Sequence, residues 1–420
     1  DVALKVLAVA DSHVDDRMTL AGLTPVDPET GEPLVLAQAR RMLAWVAEVA
    51  RRENVDLIVH AGDAYERPRP SPASEAVFAL ALDSWCDVAP VVLLLGNHDR
   101  PHGTDAHALE PLKNRRPGRL HVADTPEPFT VWVTKDRNAG AFSRGVPDGT
   151  VGYQRIGVFP IPYPSRSYLA ERLEGTKEQT TQVMSDALDR VVLAHATQAG
   201  LLNVPTILLG HGTLTGASYR EYQTVPLSDL QIRTEYFGCF TCNVWGHLHK
   251  RQTAPGFAGR VHGYVGSPDR HDFGEEGEIK GVTIFDLDPD QPHEPADGWI
   301  FVEYPGARKF VTFTPEVFES QHAGIGPTKT PAGAIMRVVG EVDEPTYDRI
   351  AASVRALKGA GAIIRNDCSV VREDRARVKD VATALGMHGA LVAACGSRAD
   401  LTPNTETILE RVAQLRGDTT

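Results

Sequence analysis

The sequence predicts a layered α/β fold, and three observations carry the prediction. Short aliphatic runs at 4–9, 55–59, 91–95, 207–209 and 244–245 have the continuity of strands buried on both faces. Between them, apolar residues recur at helical spacing, so strands and helices alternate through the first three hundred residues. Each run also empties into oxygen- or nitrogen-bearing side chains. That places these side chains at the carboxyl ends of strands, where open α/β sheets hold their ligands.

The run 4–9 opens into Asp11-Ser12-His13, and the polar segment 15–33, with Asp27-Pro28 and Gly31, reads as a loop. Over 35–54 the residues Ala39, Leu43, Val46 and Ala50 fall on one helical face and lead into the strand 55–59 and Gly62-Asp63. This is a βαβ unit, normally right-handed. Ser71-Pro72 reads as an N-cap with proline at the first helical position, opening a helix that carries Ala76, Leu80 and Trp85. After Pro90 comes the central run 91–95, which breaks at Gly96 and presents Asn97-His98-Asp99.

A loop rich in Pro, Gly and Arg follows to about Gly118, then strands at 129–133 and 156–159 and a helix over 177–202. That helix precedes the run ending at Gly210-His211, and a last run ends at Gly246-His247-Leu248-His249. From about Ala307 the pattern changes to a strand over 334–342, a helix over 345–357 and a strand over 362–371, without clustered ligands. Two helices are expected in 378–417; the second starts at Thr402-Pro403 and puts Ile408, Leu409, Val412 and Leu415 on one face. The division expected is therefore 1–306, 307–377 and 378–420.

A chain of 420 residues, 42% hydrophobic, can bury a sizeable core in two or three domains. It holds no run of roughly 18 to 20 apolar residues, and it begins on a strand rather than a basic-then-apolar leader. A cytoplasmic protein is expected. The cysteines Cys86, Cys239, Cys242, Cys368 and Cys395 form no disulfide framework. The pair Cys239 and Cys242 lacks the partners of a zinc site, so buried free thiols are expected. The net charge of −12 offers no general attraction to nucleic acid, so any DNA binding needs a local basic groove.

Oxygen and nitrogen donors without thiolate suit Mn²⁺, Fe²⁺ or Zn²⁺ better than Ca²⁺. His98 and its neighbour Asn97 leave a strand in opposite directions, so the two would not easily share one metal. Taken in order, Asp-x-His, Gly-Asp, Gly-Asn-His-Asp, Gly-His and Gly-His-x-His resemble the motifs of calcineurin-like metallophosphoesterases. That resemblance implies a β-sandwich flanked by helices with a two-metal site. The stretch Gly266-Ser267-Pro268-Asp269-Arg270-His271-Asp272-Phe273-Gly274-Glu275-Glu276, with Lys280-Gly281, resembles the SbcD/Mre11-type DNA nucleases.

The resemblance further implies that Asp11, His13, Asp63 and His249 hold one metal, and that Asp63, Asn97, His211 and His247 hold the other. Asp63 bridges, and the metal in those nucleases is commonly manganese. His98 is implied to stabilise the transition state or protonate the leaving group, with Asp99 orienting its ring; a turn-capping Asp99 is the alternative. Also implied are DNA as substrate, a role in repair or recombination at the nucleoid, a homodimer, and a capping domain over 307–377. An SbcC/Rad50-like SMC-type ATPase would bind the region that follows.

Arg67, Arg69, Arg100 and Arg270 lie beside ligand motifs and are candidates for DNA phosphates. His60 and His102 fit no ligand pattern and read as structural. Val14-Asp15-Asp16 departs from the glycine-containing turn common in the family. Two other readings stay open: a phosphatase or phosphodiesterase acting on a smaller ester, and a non-catalytic scaffold. The Gly-Ser-Pro-Asp-Arg motif and the C-terminal third favour the nuclease over a minimal phosphatase.

Overall fold

A computed structural model of the chain describes residues 3–101, 106–134, 140–144, 153–163, 177–218, 230–257, 262–294, 297–322 and 333–371. The chain divides into two compact units, Asp1–Val311 with Pro331–Ile335, and Thr312–Thr330 with Met336–Thr420. The first begins β1 (Leu4–Val9), α1 (Leu34–Arg52), β2 (Leu57–His60), α2 (Pro72–Cys86), β3 (Val91–Leu94), β4 (Leu120–Ala123), β5 (Phe129–Thr134) and β6 (Gly140–Arg144). It continues β7 (Tyr153–Ile161), α3 (Lys177–Ala199), β8 (Thr206–His211), β9 (Thr213–Leu214), β10 (Gln231–Ile232), β11 (Cys242–Gly246), β12 (Gln252–Thr253), β13 (His262–Tyr264), β14 (Gly281–Leu287) and β15 (Asp297–Glu303).

Two sheets form from these strands, one in the order β15-β14-β1-β2-β3-β4 and the other β12-β13-β11-β8-β7-β5-β6. Strands β1 to β4 run parallel, as do β7, β8 and β11. The aliphatic runs are continuous because both faces of the first sheet are covered. Val6 and Ala8 of β1 and Val92 and Leu94 of β3 share a buried cluster with Val131, Val158, Ile207 and Val244 of the second sheet. Their neighbours Leu7, Val9, Val91 and Leu93 point the other way, onto Leu43 and Val46 of α1 and Phe78, Leu82 and Trp85 of α2.

Each such side chain contributes roughly 1.5–3 kcal/mol by leaving water, so exposing either face would remove a large share of the fold's stability. The far face of the second sheet buries Phe159, Leu208 and Trp245 with Val192 and Ala196 of α3. Helix α2 starts where the sequence predicts, with Ser71 Oγ accepting from Ser74 N at 3.1 Å and Pro72 in the first turn. The chain is a mixed α/β protein whose two-sheet sandwich carries helices on both outer faces.

The second unit holds most of a three-stranded sheet of β16 (Lys309–Phe313), β17 (Ala334–Val338) and β19 (Ile363–Asn366). It also holds α4 (Pro315–His322), β18 (Glu341–Val342), α5 (Glu344–Gly359) and β20 (Ser369–Val370), with β18 paired to β20. The strands expected over 334–342 and 362–371 are thus each split in two. At Gly340 the backbone packs on Pro315, where an added Cβ would sit 2.7 Å from the proline ring. After β19, Asn366 Oδ1 accepts from Cys368 N at 3.1 Å and turns the chain. The expected helices in 378–417 lie outside the described residues, and no described helix is long and apolar enough to cross a membrane.

Candidate metal centre

The ends of β1, β2 and β3 in one sheet and of β8 and β11 in the other meet at one spot. Backbone ladders run on past the first two strands: Asp11 N donates to Gly62 O at 3.0 Å and His13 N to Asp63 O at 3.1 Å. The second sheet reaches across, with His211 Nδ1 donating to Ala61 O at 2.7 Å and His247 N to Asp11 Oδ1 at 2.9 Å. Asp11, His13, Asp63 and His247 all take left-handed backbone angles, φ 53°, 43°, 55° and 97°. Non-glycine residues there cost on the order of 1–3 kcal/mol each, so the surrounding hydrogen bonds must hold them in place. Gly96 is required by close approach, since a Cβ on it would lie 2.2 Å from both N and Oδ1 of Asp63.

The seven donors expected from the sequence come together. His13 Nε2 lies 3.0 Å from His249 Nε2 and 3.6 Å from Asp63 Oδ2. On the other side His211 Nε2 lies 3.3 Å from Asp63 Oδ2, and Asn97 Oδ1 stands 2.9 Å from both His211 Nε2 and His247 Nδ1. The ligand atoms fall into the groups Asp11–His13–His249 and Asp63–His211–His247, while His13, Asp63 and His98 form a third that joins them. Asn97 and His98 do part: the amide faces the second group, whereas the His98 ring stands edge-on to His13 at 4.8 Å.

Burial and mutual charge set the electrostatics of the cluster. Burial opposes charge on Asp63, yet His211, His13 and His98 hold its carboxyl well below the usual range. Asp11, just as buried, is pushed up by that burial despite His249 and His211. Burial works against a proton on His211, but Asp63 raises it to about 9; burial and then His211 take His247 down to about 3. Burial raises Asp11 while Asp63 raises His211, so the charges of these side chains depend on one another. Converging O and N donors without thiolate, around two buried carboxylates, fit two divalent cations.

Three polar residues that sequence reasoning left without a role support the donors. Glu66 receives His98 Nδ1 on its carbonyl oxygen at 2.8 Å and faces His13 Nδ1 with Oε2 at 2.8 Å. Glu275 Oε1 lies 2.6 Å from His249 Nδ1, and Lys280 Nζ lies 2.9 Å from Glu275 Oε2. Their signal was present, because Glu66 sits three residues past Asp63 and the other two sit in the 266–281 stretch. The His271 ring also stands 4.9 Å from His13 and 5.0 Å from His249.

Asp99 departs from the ring-orienting role. Its carboxylate accepts from Gly96 N at 3.0 Å, Tyr65 N at 3.0 Å and Ala64 N at 3.3 Å, while the His98 ring is held by Glu66 instead. The reason is burial: Asp99 is fully enclosed beneath the loops, where backbone N–H groups are its partners. Burial, with Asp63 nearby, pushes its carboxyl up to about 6.

Arg270 departs too, since its guanidinium donates to Glu278 O at 2.9 Å and Arg308 O at 2.7 Å and so ties backbone segments together. Arg67 and Arg69 are exposed, Arg67 Nε lying 3.1 Å from Asp15 Oδ2, and Arg100 is half-buried. His60 is structural as expected, bonded to Ser12 Oγ at 2.8 Å and stacked on Trp85; His102 lies outside the described residues. Of the two thiols expected to be buried, Cys242 is and Cys239 is exposed, because Cys242 begins the core strand β11 and Cys239 lies in the turn before it.

Comparison with known proteins agrees with this geometry. The chain is 27% identical over 268 residues to the SbcD component of the SbcCD nuclease of Bacillus subtilis (strain 168), covering 60% of this chain and 62% of that protein. It is 29% identical over 262 residues to the component of the same name from Rhodobacter capsulatus, covering 60% and 61%. The match therefore spans less than two thirds of the length of these curated relatives. A solved dimetal phosphatase from Danio rerio superposes with a TM-score of 0.35 at 12% identity, over 68% of this chain and 93% of that one, too loosely to argue from. The family model for calcineurin-like phosphoesterases matches residues 4–251, a stretch that contains all seven converging donors. On that match, which takes in more than half of its length, the chain belongs to the calcineurin-like phosphoesterase family.

Proposed function

We propose that this chain is a metal-dependent DNA nuclease of the SbcD type, hydrolysing phosphodiester bonds in DNA repair or recombination beside an SMC-type ATPase. The observation that carries the reading is the convergence of Asp11, His13, Asp63, Asn97, His211, His247 and His249 around Asp63, with His98 at the edge. The names of the two relatives, both nuclease components, direct the substrate toward nucleic acid. Two divalent cations, Mn²⁺ or else Fe²⁺ or Zn²⁺, held by Asp11, His13, Asp63 and His249 and by Asp63, Asn97, His211 and His247, would supply hydroxide at neutral pH and offset phosphoryl charge.

His98 is the proposed catalytic residue. Its Nδ1–H donates to Glu66 O, which sets the ring and leaves Nε2 as the atom available to substrate on a side chain 38% exposed. On the imidazolium, Nε2–H hydrogen-bonds a phosphoryl oxygen or passes its proton to the departing alkoxide; on the neutral ring Nε2 only accepts. Asp99 acts beneath, holding the loops that carry Asp63 and Asn97 in register.

Arg67, Arg69 and Arg100 are kept as DNA contacts, and Arg270 is not, given its carbonyl partners. With a net charge of −12, affinity for phosphate must come from such local cations. Residues 1–306 as the nuclease, 307–377 as a cap on DNA, 378–420 as the ATPase-docking segment, a homodimer, and a cytoplasmic, nucleoid-associated location complete the reading. The test is incubation of the purified protein with linear duplex DNA and with a generic phosphodiester, each with and without Mn²⁺. Mn²⁺-dependent loss of DNA is expected. Hydrolysis of the small ester alone assigns a phosphatase or small-ester phosphodiesterase, and DNA binding without hydrolysis of either assigns a scaffold.

A further inference from the structure

The histidines of the centre are not backed alike. His13 Nδ1 lies 2.8 Å from the Glu66 carboxylate as an ion-pair contact outside hydrogen-bond alignment, and His249 Nδ1 hydrogen-bonds the Glu275 carboxylate at 2.6 Å. His211 Nδ1 donates to the neutral Ala61 carbonyl, and His247 turns Nδ1 itself toward Asn97. The two carboxylate-backed rings stand with Asp11 in one donor group, and the other two stand with Asp63 in the second. The asymmetry is therefore one of position.

Backing decides two things about an imidazole. An Nδ1–H given to a carboxylate leaves Nε2 as the lone pair, and the negative partner makes that lone pair a stronger donor. His13 Nε2 and His249 Nε2 do turn inward, 3.0 Å apart. Formal charge acts in the same direction, since Asp11 adds a carboxylate to the first group where the second adds the neutral amide of Asn97.

Glu275 is also held at some cost. It and Lys280 are each 2% exposed, and a buried ion pair is seldom a net gain in stability. The ammonium is shared among Glu275 Oε2 at 2.9 Å, Glu278 Oε2 at 2.8 Å, Ser267 Oγ at 2.9 Å and His249 O at 3.0 Å. His271 N donates to Glu275 Oε2 at 3.1 Å. One carboxylate oxygen is thus anchored, and the other is presented to the His249 ring.

We propose that the two cation positions are unequal, the Asp11–His13–His249 position being the tighter, and that Glu66 and Glu275 are the positioning residues that make it so. This rests on the two-cation reading above. Titration of the metal-free full chain with Mn²⁺, reading free Mn²⁺ by electron paramagnetic resonance and heat by calorimetry, tests it. Wild type is expected to bind in two steps of distinct affinity. Glu66→Gln and Glu275→Gln should each weaken the tight step about 10–100-fold and spare the weak one. Asn97→Ala should remove the weak step alone.

Circular dichroism of each metal-free variant reports the fold. Should Glu275→Gln fail to fold, Glu66→Gln, altered at a side chain 31% exposed, decides. Two steps of equal affinity in wild type, or a Glu66→Gln variant that loses the weak step, overturn the proposal and leave the two-cation reading intact. A single one-ion step in wild type, indifferent to Asn97→Ala, overturns that reading and the proposal with it.

Discussion

Replacing Asp99 by alanine should unfold the site from beneath. The carboxylate is fully buried and accepts from three backbone amides, those of Gly96, Tyr65 and Ala64, at 3.0, 3.0 and 3.3 Å. An unsatisfied buried donor costs roughly 1–3 kcal/mol, so three dry amides would set the loss at about 3–9 kcal/mol. Water entering the vacated space can satisfy one or two of them, which leaves about 1–6 kcal/mol. At about 2 °C per kcal/mol for a large domain, the melting temperature should fall by about 2–12 °C.

Differential scanning calorimetry of the metal-free protein at neutral pH measures this directly. Asp99→Asn, which keeps one acceptor, should recover part of the loss. Were Asp99 instead to act by orienting His98, the alanine variant would keep its melting temperature and lose turnover. A fall smaller than about 2 °C, the share of a single hydrogen bond, together with lost activity would refute the reasoning.

His98→Ala should keep both cations, because its backbone N–H to Asp63 Oδ1 at 2.8 Å survives, yet lower turnover by about 10²–10⁴. Equal losses of Mn²⁺ affinity and activity would make the residue structural. Gly96→Ala drives a Cβ into Asp63 backbone and carboxylate, a clash worth about 1–3 kcal/mol or more; wild-type melting and Mn²⁺ binding would count against that close approach. Away from the centre, Asp124 is held below the usual carboxylate range chiefly by the hydrogen bond from His107, then by Lys113. A depressed folded-state value means stability present above the unfolded value of about 3.9 and lost as pH falls below it. The stability gap between wild type and Asp124→Asn in urea unfolding should therefore narrow between neutral pH and about pH 3, and a gap that stays constant would show the pair contributes nothing.

The strand-end donors and the alternation of strands and helices were legible in the chain because both are local signals, whereas the two-sheet sandwich and the full set of seven ligands were implied only by the family resemblance. An aliphatic run such as 91–95 states that both its faces are covered, and Gly96-Asn97-His98 states what stands at its end. Helix α2 was legible through Ser71 and Pro72 for the same reason, a capping preference expressed within a few residues. The partners of those groups were not. His249 meets Glu275 from 26 residues away, Asp99 meets Tyr65 and Ala64 across the gap between β2 and β3, and His211 meets Ala61 across two sheets.

Nor could residue type alone tell that the donors of Arg270 face carbonyls of Glu278 and Arg308, or that Gly340 would break a strand on Pro315. The sequence by itself determined which atoms are presented at the strand ends. Only the tertiary structure decided which buried polar group stands behind each of them, because a role such as Asp99's depends on which backbone amides folding leaves without another acceptor.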